Sequence, residues 1–438
     1  MSTFGGNDRI TPVQSNRFAI FAIFLTFGIA SLMPIVRFSL SKRSDSFGKT
    51  LWAEDGMFIF SADQHGFLTT FAPYRGYLHV VPRFLASWIS LFPISSWALV
   101  EAIFYCLFNG FIAAILYVAA RAFTRTAIAA SLLALVPTLS PLFGLEAIGS
   151  IANLNVVLAY VAVVLGLTLR QIINSNSFQF TTLIVFLAMI VLTTPTAGPY
   201  LLLVAVFLGY KQVKCKRYWL LISLFFLTSG VQFTTSLFFQ DGRTFNLQVT
   251  QISHSFSLAF DAVLSLVPGM TFRTATAWGH SYSAVSWVRP SLMLLLLVVG
   301  VLGVVKVRSC ISSLMLVSGF FLWFAAISRG DAYAGSSRYY LYLMFPLTGS
   351  LIVFVDKRIS QKALIFSTVL VGFLWIPSLA VSEFRTSGAR WTDYINLADE
   401  ICKSNPTQNV DVQFAPNWPI DWSFDLTGVN SNEWDCVD

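Results

Sequence analysis

Charge is what this chain has least of. Asp, Glu, Lys and Arg make up 11% of its 438 residues, and hydrophobic residues make up 56%. Soluble domains carry about 25% charged residues, so a soluble globular protein is excluded and a polytopic membrane protein is expected. The net charge of +7 does not point to nucleic acid. The Lys and Arg residues collect in short loops between apolar runs, which is a membrane pattern. Cysteine is also scarce: the five Cys form neither a CxxC pair nor a metal-ligand spacing. No dedicated metal site and no cofactor is expected, a cation bridging Glu54, Asp55 and Glu146 being the alternative. No internal repeat or low-complexity tract stands out.

Long apolar runs are what the chain does have. A spanning helix needs roughly 20 apolar residues, and about eleven such segments can be placed. They are 18–36, 97–120, 127–143, 151–169, 180–194, 198–210, 218–238, 290–305, 310–328, 339–355 and 363–381. The first reads as a retained signal-anchor helix. The run from Phe180 to Tyr210 is too long for one helix. "TTPTAGPY" (193–200) breaks it with Pro195, Gly198 and Pro199, so a tight hairpin is expected there. The fold expected is an all-α bundle over 1–381 with a small extramembrane segment at 382–438.

Placing the N-terminus in the cytoplasm puts half of the 28 basic residues, among them Arg121, Arg125, Arg170, Lys216, Arg217, Lys357 and Arg358, into short inner loops. The cluster Arg37, Lys42, Arg43 and Lys49 opposes this layout. Of the 21 acidic residues only Asp8 and Asp356 then face inward. The segments 37–96, 239–289 and 382–438 face outward, so the working surface is expected on the outer side of the membrane.

That surface holds an acidic pair in an apolar setting. In "LWAEDGMFIF" (51–60), Glu54 and Asp55 are flanked by Trp52, Met57, Phe58, Ile59 and Phe60. Two adjacent carboxylates at a low-dielectric boundary resist joint ionisation, and one of them can take a proton as general base. Asp55 is taken ahead of Glu54 for this role. The alternative is that Asp55 caps a helix beginning at Gly56. Residues 51–70 read as an amphipathic helix lying on the bilayer, and a second interfacial helix is expected from about Pro82.

Cationic and aromatic groups share the outer side. Arg75, His79 and Arg83 are spaced four apart in "PYRGYLHVVPRF" (73–84) and would suit a phosphate, or anchor to lipid headgroups. In "SRGDAYAGSSRYY" (328–340), Arg338 and Tyr339 suit a lipid-linked phosphate; the alternative is an aromatic belt with an Arg–Asp pair. Glu146 and Glu101 are further acidic candidates, Glu101 standing near the outer end of its span. The C-terminal segment carries Trp391, Trp418, Trp422 and Trp434. "FAPNWPIDWSFDL" (414–426) sets Trp418 and Trp422 beside Asp421, an arrangement that suits sugar rings, or else a small Trp-centred core.

An acidic pair soon after the first span, followed by two interfacial helices, resembles the GT-C superfamily of membrane glycosyltransferases that use polyprenyl-phosphate-linked sugars. "AEDGMFIFSADQHGF" with "PYRGYLHVVPRF" is similar to a bacterial branch of that group, and "SSRYY" resembles the Arg-Tyr element of its later outer loop. The general layout also resembles the phage-borne glucosyltransferases that modify O-antigen and convert serotype. The resemblance implies a bacterial inner-membrane enzyme with its active face in the periplasm. It would move a hexose, with inversion, from undecaprenyl phosphate to a lipid-linked or polymeric glycan. Asp55 or Glu54 would be the base, and Arg338 with Arg75 or Arg83, Tyr339 and His79 would hold the donor phosphate. Glu146, Trp418, Trp422 and Asp421 would face the acceptor. A transporter or flippase of lipid-linked sugars, and a non-catalytic polysaccharide-assembly protein, are the rival readings.

Cys402 and Cys436 both lie in the C-terminal segment, and an outer location permits them to pair. Non-reducing peptide mapping should recover the two cysteines in one linked species; two free thiols in the native protein would exclude the bond.

Overall fold

The computed structural model describes residues 16–41, 46–74, 76–145, 147–209, 212–239, 255, 259, 310–327, 337–381, 386, 390–404, 411–414 and 422–425. The helices are α1 (Asn16–Ser39), α2 (Ala53–His65), α3 (Val80–Ile89), α4 (Trp97–Ala120), α5 (Ala127–Leu139), α6 (Leu154–Gly166) and α7 (Leu169–Ile173). They continue as α8 (Ser177–Thr193), α9 (Ala197–Gly209), α10 (Lys216–Phe238), α11 (Cys310–Ile327), α12 (Ser337–Asp356), α13 (Gln361–Trp375) and α14 (Trp391–Ser404). The strands form two small antiparallel hairpins, β1 (Pro73–Tyr74) with β2 (Tyr77–Leu78), and β3 (Asp411–Phe414) with β4 (Trp422–Asp425).

Among the described residues five stretches are long and apolar enough to cross a membrane: Arg17–Ser39, Ile94–Ala120, Ala127–Gly144, Lys216–Phe238 and Arg338–Asp356. Shorter apolar helices stand where most of the remaining spans are expected, and 290–305 lies outside the described residues. Local signals set several boundaries. Thr126 caps α5 by accepting from Ala129 N at 3.1 Å, and Asn176 caps α8 by accepting from Gln179 N at 2.9 Å. α8 stops at Thr193 and α9 starts at Ala197, so the expected break at Pro195 is present.

α6 is the axis of the bundle. All of it except Asn155 is buried, and it packs against α3, α4, α8, α9, α11 and α12. α1 is its opposite: Phe21 is 62% and Phe24 69% exposed. Such a surface has no counterpart on a soluble monomer.

At one end of the bundle the basic loop residues meet their partners. Asp356 accepts from Thr126 Oγ1 at 2.7 Å and Arg125 N at 2.6 Å, which ties the start of α5 to the end of α12. Arg217 donates to the carbonyls of Ile173 and Ser175. The other end holds the irregular segments. There Arg37, one of the basic cluster that opposes the expected layout, is fully buried. Its Nε donates to Leu379 O at 2.8 Å, its Nη1 to Thr138 O at 2.9 Å and Ser140 O at 2.8 Å, and its Nη2 to Pro141 O at 3.2 Å. It therefore serves carbonyls that the end of α5 leaves without helical partners. Gly144 makes room for it, since a Cβ there would lie 2.2 Å from Arg37 Nη2.

The first long loop differs from its sequence reading. α2 does not lie on the bilayer. Phe58, Ile59 and Phe60 are buried inside the protein, and Phe60 meets Trp97 edge-on at 5.0 Å. Asp55 is not a helix cap, because α2 begins at Ala53 with Trp52 in the cap position. Both carboxylates stand in the first turn, where the helix dipole favours negative charge. Exposed aromatic surface is found instead on α3, which begins at Val80. Phe84 and Trp88 are part-exposed and cluster with Phe67.

The start of the C-terminal segment is built into this end. Trp391 is buried and stacks on Trp97 at 6.2 Å. Its backbone N donates to Lys49 O and its Nε1 to Ile94 O, both at 2.6 Å.

Arg37→Met should lower stability by about 3 kcal/mol or more, since it strands several buried acceptors. Gly144→Ala should also destabilise, by displacing the same guanidinium. Thermal unfolding in detergent reads both, and wild-type midpoints would show that the carbonyls find other donors.

Candidate functional site

Glu54 and Asp55 are adjacent in sequence but point to different surroundings. Asp55 has no exposure, and its Oδ1 accepts from Ala152 N at 2.7 Å and Ser150 Oγ at 3.1 Å. Ser150 Oγ in turn accepts from Asn153 Nδ2 at 3.1 Å. The carboxylate thereby fixes the turn that leads into α6. Glu54 lines a cleft and meets Arg338 Nη1 at 3.3 Å through Oε1, with the two side chains 8% and 20% exposed.

The cleft encloses about 740 Å³ counted to its open mouth. Glu54 on α2 and Arg338, Tyr339 and Tyr342 on α12 form part of its lining. The Arg338 guanidinium lies 5.6 Å from the centre of the Tyr339 ring. The start of α6 adds Asn153, Asn155 and Val156, and the α8–α9 connection adds Pro195 and Thr196. The first turn of a buried 13-residue helix therefore faces the cleft beside an arginine, a setting that favours an anion.

The remaining wall is aromatic. Residues 73–78 form the β1–β2 hairpin, with Gly76 at φ 83 in the turn, a conformation that L side chains resist. Gln232, in the middle of apolar α10, docks this hairpin. Its Oε1 accepts from Leu78 N at 3.0 Å, and its Nε2 donates to Leu78 O at 3.2 Å. Thr193 Oγ1 accepts from Val81 N at 2.9 Å and so satisfies the opening of α3. His79 sits between these anchors, buried, 4.1 Å from the Tyr77 ring and near Tyr74 and Phe58.

The structure thus brings Glu54, His79, Arg338 and Tyr339 together, with Asp55 directly behind. Arg83 is not among the lining residues. It is buried one turn into α3, 4.7 Å from the Phe58 ring, and donates to Thr69 O at 3.2 Å. Burial lowers its pKa to about 10, against a smaller opposing effect from Tyr74, so it stays charged at neutral pH. Arg75, Glu146, Trp418, Asp421 and Cys436 lie outside the described residues. Trp422 opens β4 and Cys402 lies in α14. Glu101 is buried beside the 46–50 stretch, away from the cleft. Tyr77, Asn153, Asn155 and Thr196 are not among the site residues that the sequence singles out; the break at Pro195 hints at the last of them.

Among the described residues no group of three His, Cys, Asp or Glu side chains is arranged to hold a metal ion. No protein-family model matches the chain, and no curated protein or solved structure is detectably similar to it.

Asp55→Ala should cost about 2–4 kcal/mol, from two lost hydrogen bonds to a buried carboxylate, and should speed hydrogen exchange across 150–154. Glu54→Gln should change both readouts little. Equal effects of the two substitutions would contradict the division seen here.

Proposed function

We propose that the chain is an inverting membrane glycosyltransferase that takes a hexose from undecaprenyl phosphate and passes it to a glycan acceptor such as O-antigen. The observation that carries this reading is the Glu54–Arg338 pair inside a cleft at one end of an apolar bundle. A carboxylate and a guanidinium facing one space match the two charges that such a transfer must handle. The GT-C resemblance of the sequence agrees with it.

In this reading eleven crossings put the arginine-rich connections in the cytoplasm and the cleft in the periplasm. The lipid-linked donor arrives from the bilayer and the acceptor from water. The acceptor hydroxyl attacks the anomeric carbon, and its oxygen–carbon bond forms as the bond from that carbon to the phosphate oxygen breaks. The hydroxyl proton passes to Glu54. Undecaprenyl phosphate leaves with the bonding electron pair, its charge stabilised by Arg338 and the start of α6. The leaving group is already a stable anion, so no acid need protonate it, unlike in glycoside hydrolysis. Asp55 acts through the turn it holds and is a positioning residue, which moves the base assignment to the carboxylate that lines the cleft.

Glu54→Gln should lower kcat by roughly 100-fold or more with the fold retained. Asp55→Asn should do less, because an amide oxygen can still accept from Ala152 N. Arg338→Met should impair transfer as well. Transfer of radiolabelled hexose from undecaprenyl phosphate to O-antigen by purified protein measures all three; full activity in Glu54→Gln would overturn the assignment. Movement of the lipid-linked sugar across vesicles without transfer would establish the flippase reading instead.

A further inference from the structure

Two polar atoms in the cleft wall have no hydrogen-bond partner although they are buried: Asn155 Oδ1 and Thr196 Oγ1. Both residues line the same cleft. The segments that carry them are tied together two residues before Thr196, where Thr194 Oγ1 donates to Asn155 O at 2.8 Å. Asn155 is also the one residue of α6 that is not buried in the bundle, turned toward the cleft where its neighbours are packed. Buried acceptors are nearly always satisfied, so two unmet ones beside a single cleft call for donors from a ligand.

We infer that Asn155 and Thr196 form a subsite that reads hydroxyl groups on an uncharged pyranose. The inference rests on the glycosyl-transfer reading and adds the class of sugar to it. Asn155 Oδ1 accepts from one sugar hydroxyl, and Thr196 Oγ1 accepts from or donates to another. The ring has an aromatic surface to lie against in Tyr77 and His79, whose centroids are 4.1 Å apart. Among the described lining residues Arg338 is the only Lys or Arg. With that arginine on the donor phosphate, the described lining offers the carboxylate of a uronic acid no second Lys or Arg. Neutral amide and hydroxyl groups match a neutral hexose.

The subsite predicts a pattern of discrimination. A site built to bond a hydroxyl rejects the analogue that lacks it, because its own polar atoms are left unpaired. Purified full-length protein is assayed with undecaprenyl-phosphate glucose and its monodeoxy analogues, as wild type, Asn155→Leu and Thr196→Val. Wild type should disfavour at least one analogue by about tenfold or more in kcat/KM. Each variant should shrink the discrimination at one position by slowing the parent sugar and sparing the matching deoxy sugar. Equilibrium binding of undecaprenyl-phosphate glucose against undecaprenyl phosphate is measured on the same three proteins. If wild type transfers nothing yet prefers the sugar-bearing lipid, and both variants lose that preference, the subsite stands and the transfer reading falls. If the variants keep wild-type discrimination and wild-type preference, the subsite is wrong while transfer is untouched.

Discussion

The architecture of the cleft depends on one buried carboxylate. Asp55 Oδ1 joins the first turn of α2 to the turn before α6 through Ser150 and Ala152. Everything the cleft presents is referred to that joint. Glu54 is the residue just before it on α2, Asn153 and Asn155 follow the anchored turn, and Thr194 hangs from Asn155 O. A carboxyl group without exposure is tolerated only where hydrogen bonds replace water, so this joint is also selective: few other side chains could occupy it.

The same economy recurs around the cleft. A helix satisfies its own backbone, but the segments that shape a site are irregular, and irregular backbone in an apolar bundle must borrow donors and acceptors. Arg37 lends donors to carbonyls beyond the end of α5, Gln232 pairs with both backbone groups of Leu78, and Thr193 accepts from Val81 N. Each is a single polar side chain in an apolar neighbourhood. Together they let a hairpin, a turn and two helix ends converge where a plain bundle would have only lipid-facing loops.

This explains what could be read in the sequence. Apolar runs bounded by charge or proline gave nearly all of the helices, because length and hydropathy are written locally. The acidic pair and "SSRYY" were conspicuous for the same reason, so Glu54 and Arg338 were both singled out. Their meeting across 284 positions was not legible, since pairing is a property of packing. Lone residues such as Gln232, Thr193 and Thr196 form no pattern that marks them as site residues. α2 was misplaced on the bilayer because protein interior and lipid are equally apolar, and composition cannot tell which one a Phe faces. In the sequence Arg37 stands only as one of a basic cluster that opposes the layout; its carbonyl partners are again a property of packing.

The Glu54–Arg338 contact has a consequence for the order of events in the proposed transfer. Where the two side chains are joined, Glu54 Oε1 is taken up by Arg338 Nη1. A donor phosphodiester would compete with Glu54 for that same guanidinium, and its two charged oxygens could take it in bidentate fashion. Seating the donor would then free Glu54 Oε1 to accept from an incoming hydroxyl. The pair would work as an interlock, in which arrival of the sugar donor clears the carboxylate and a hydroxyl that comes first finds it occupied.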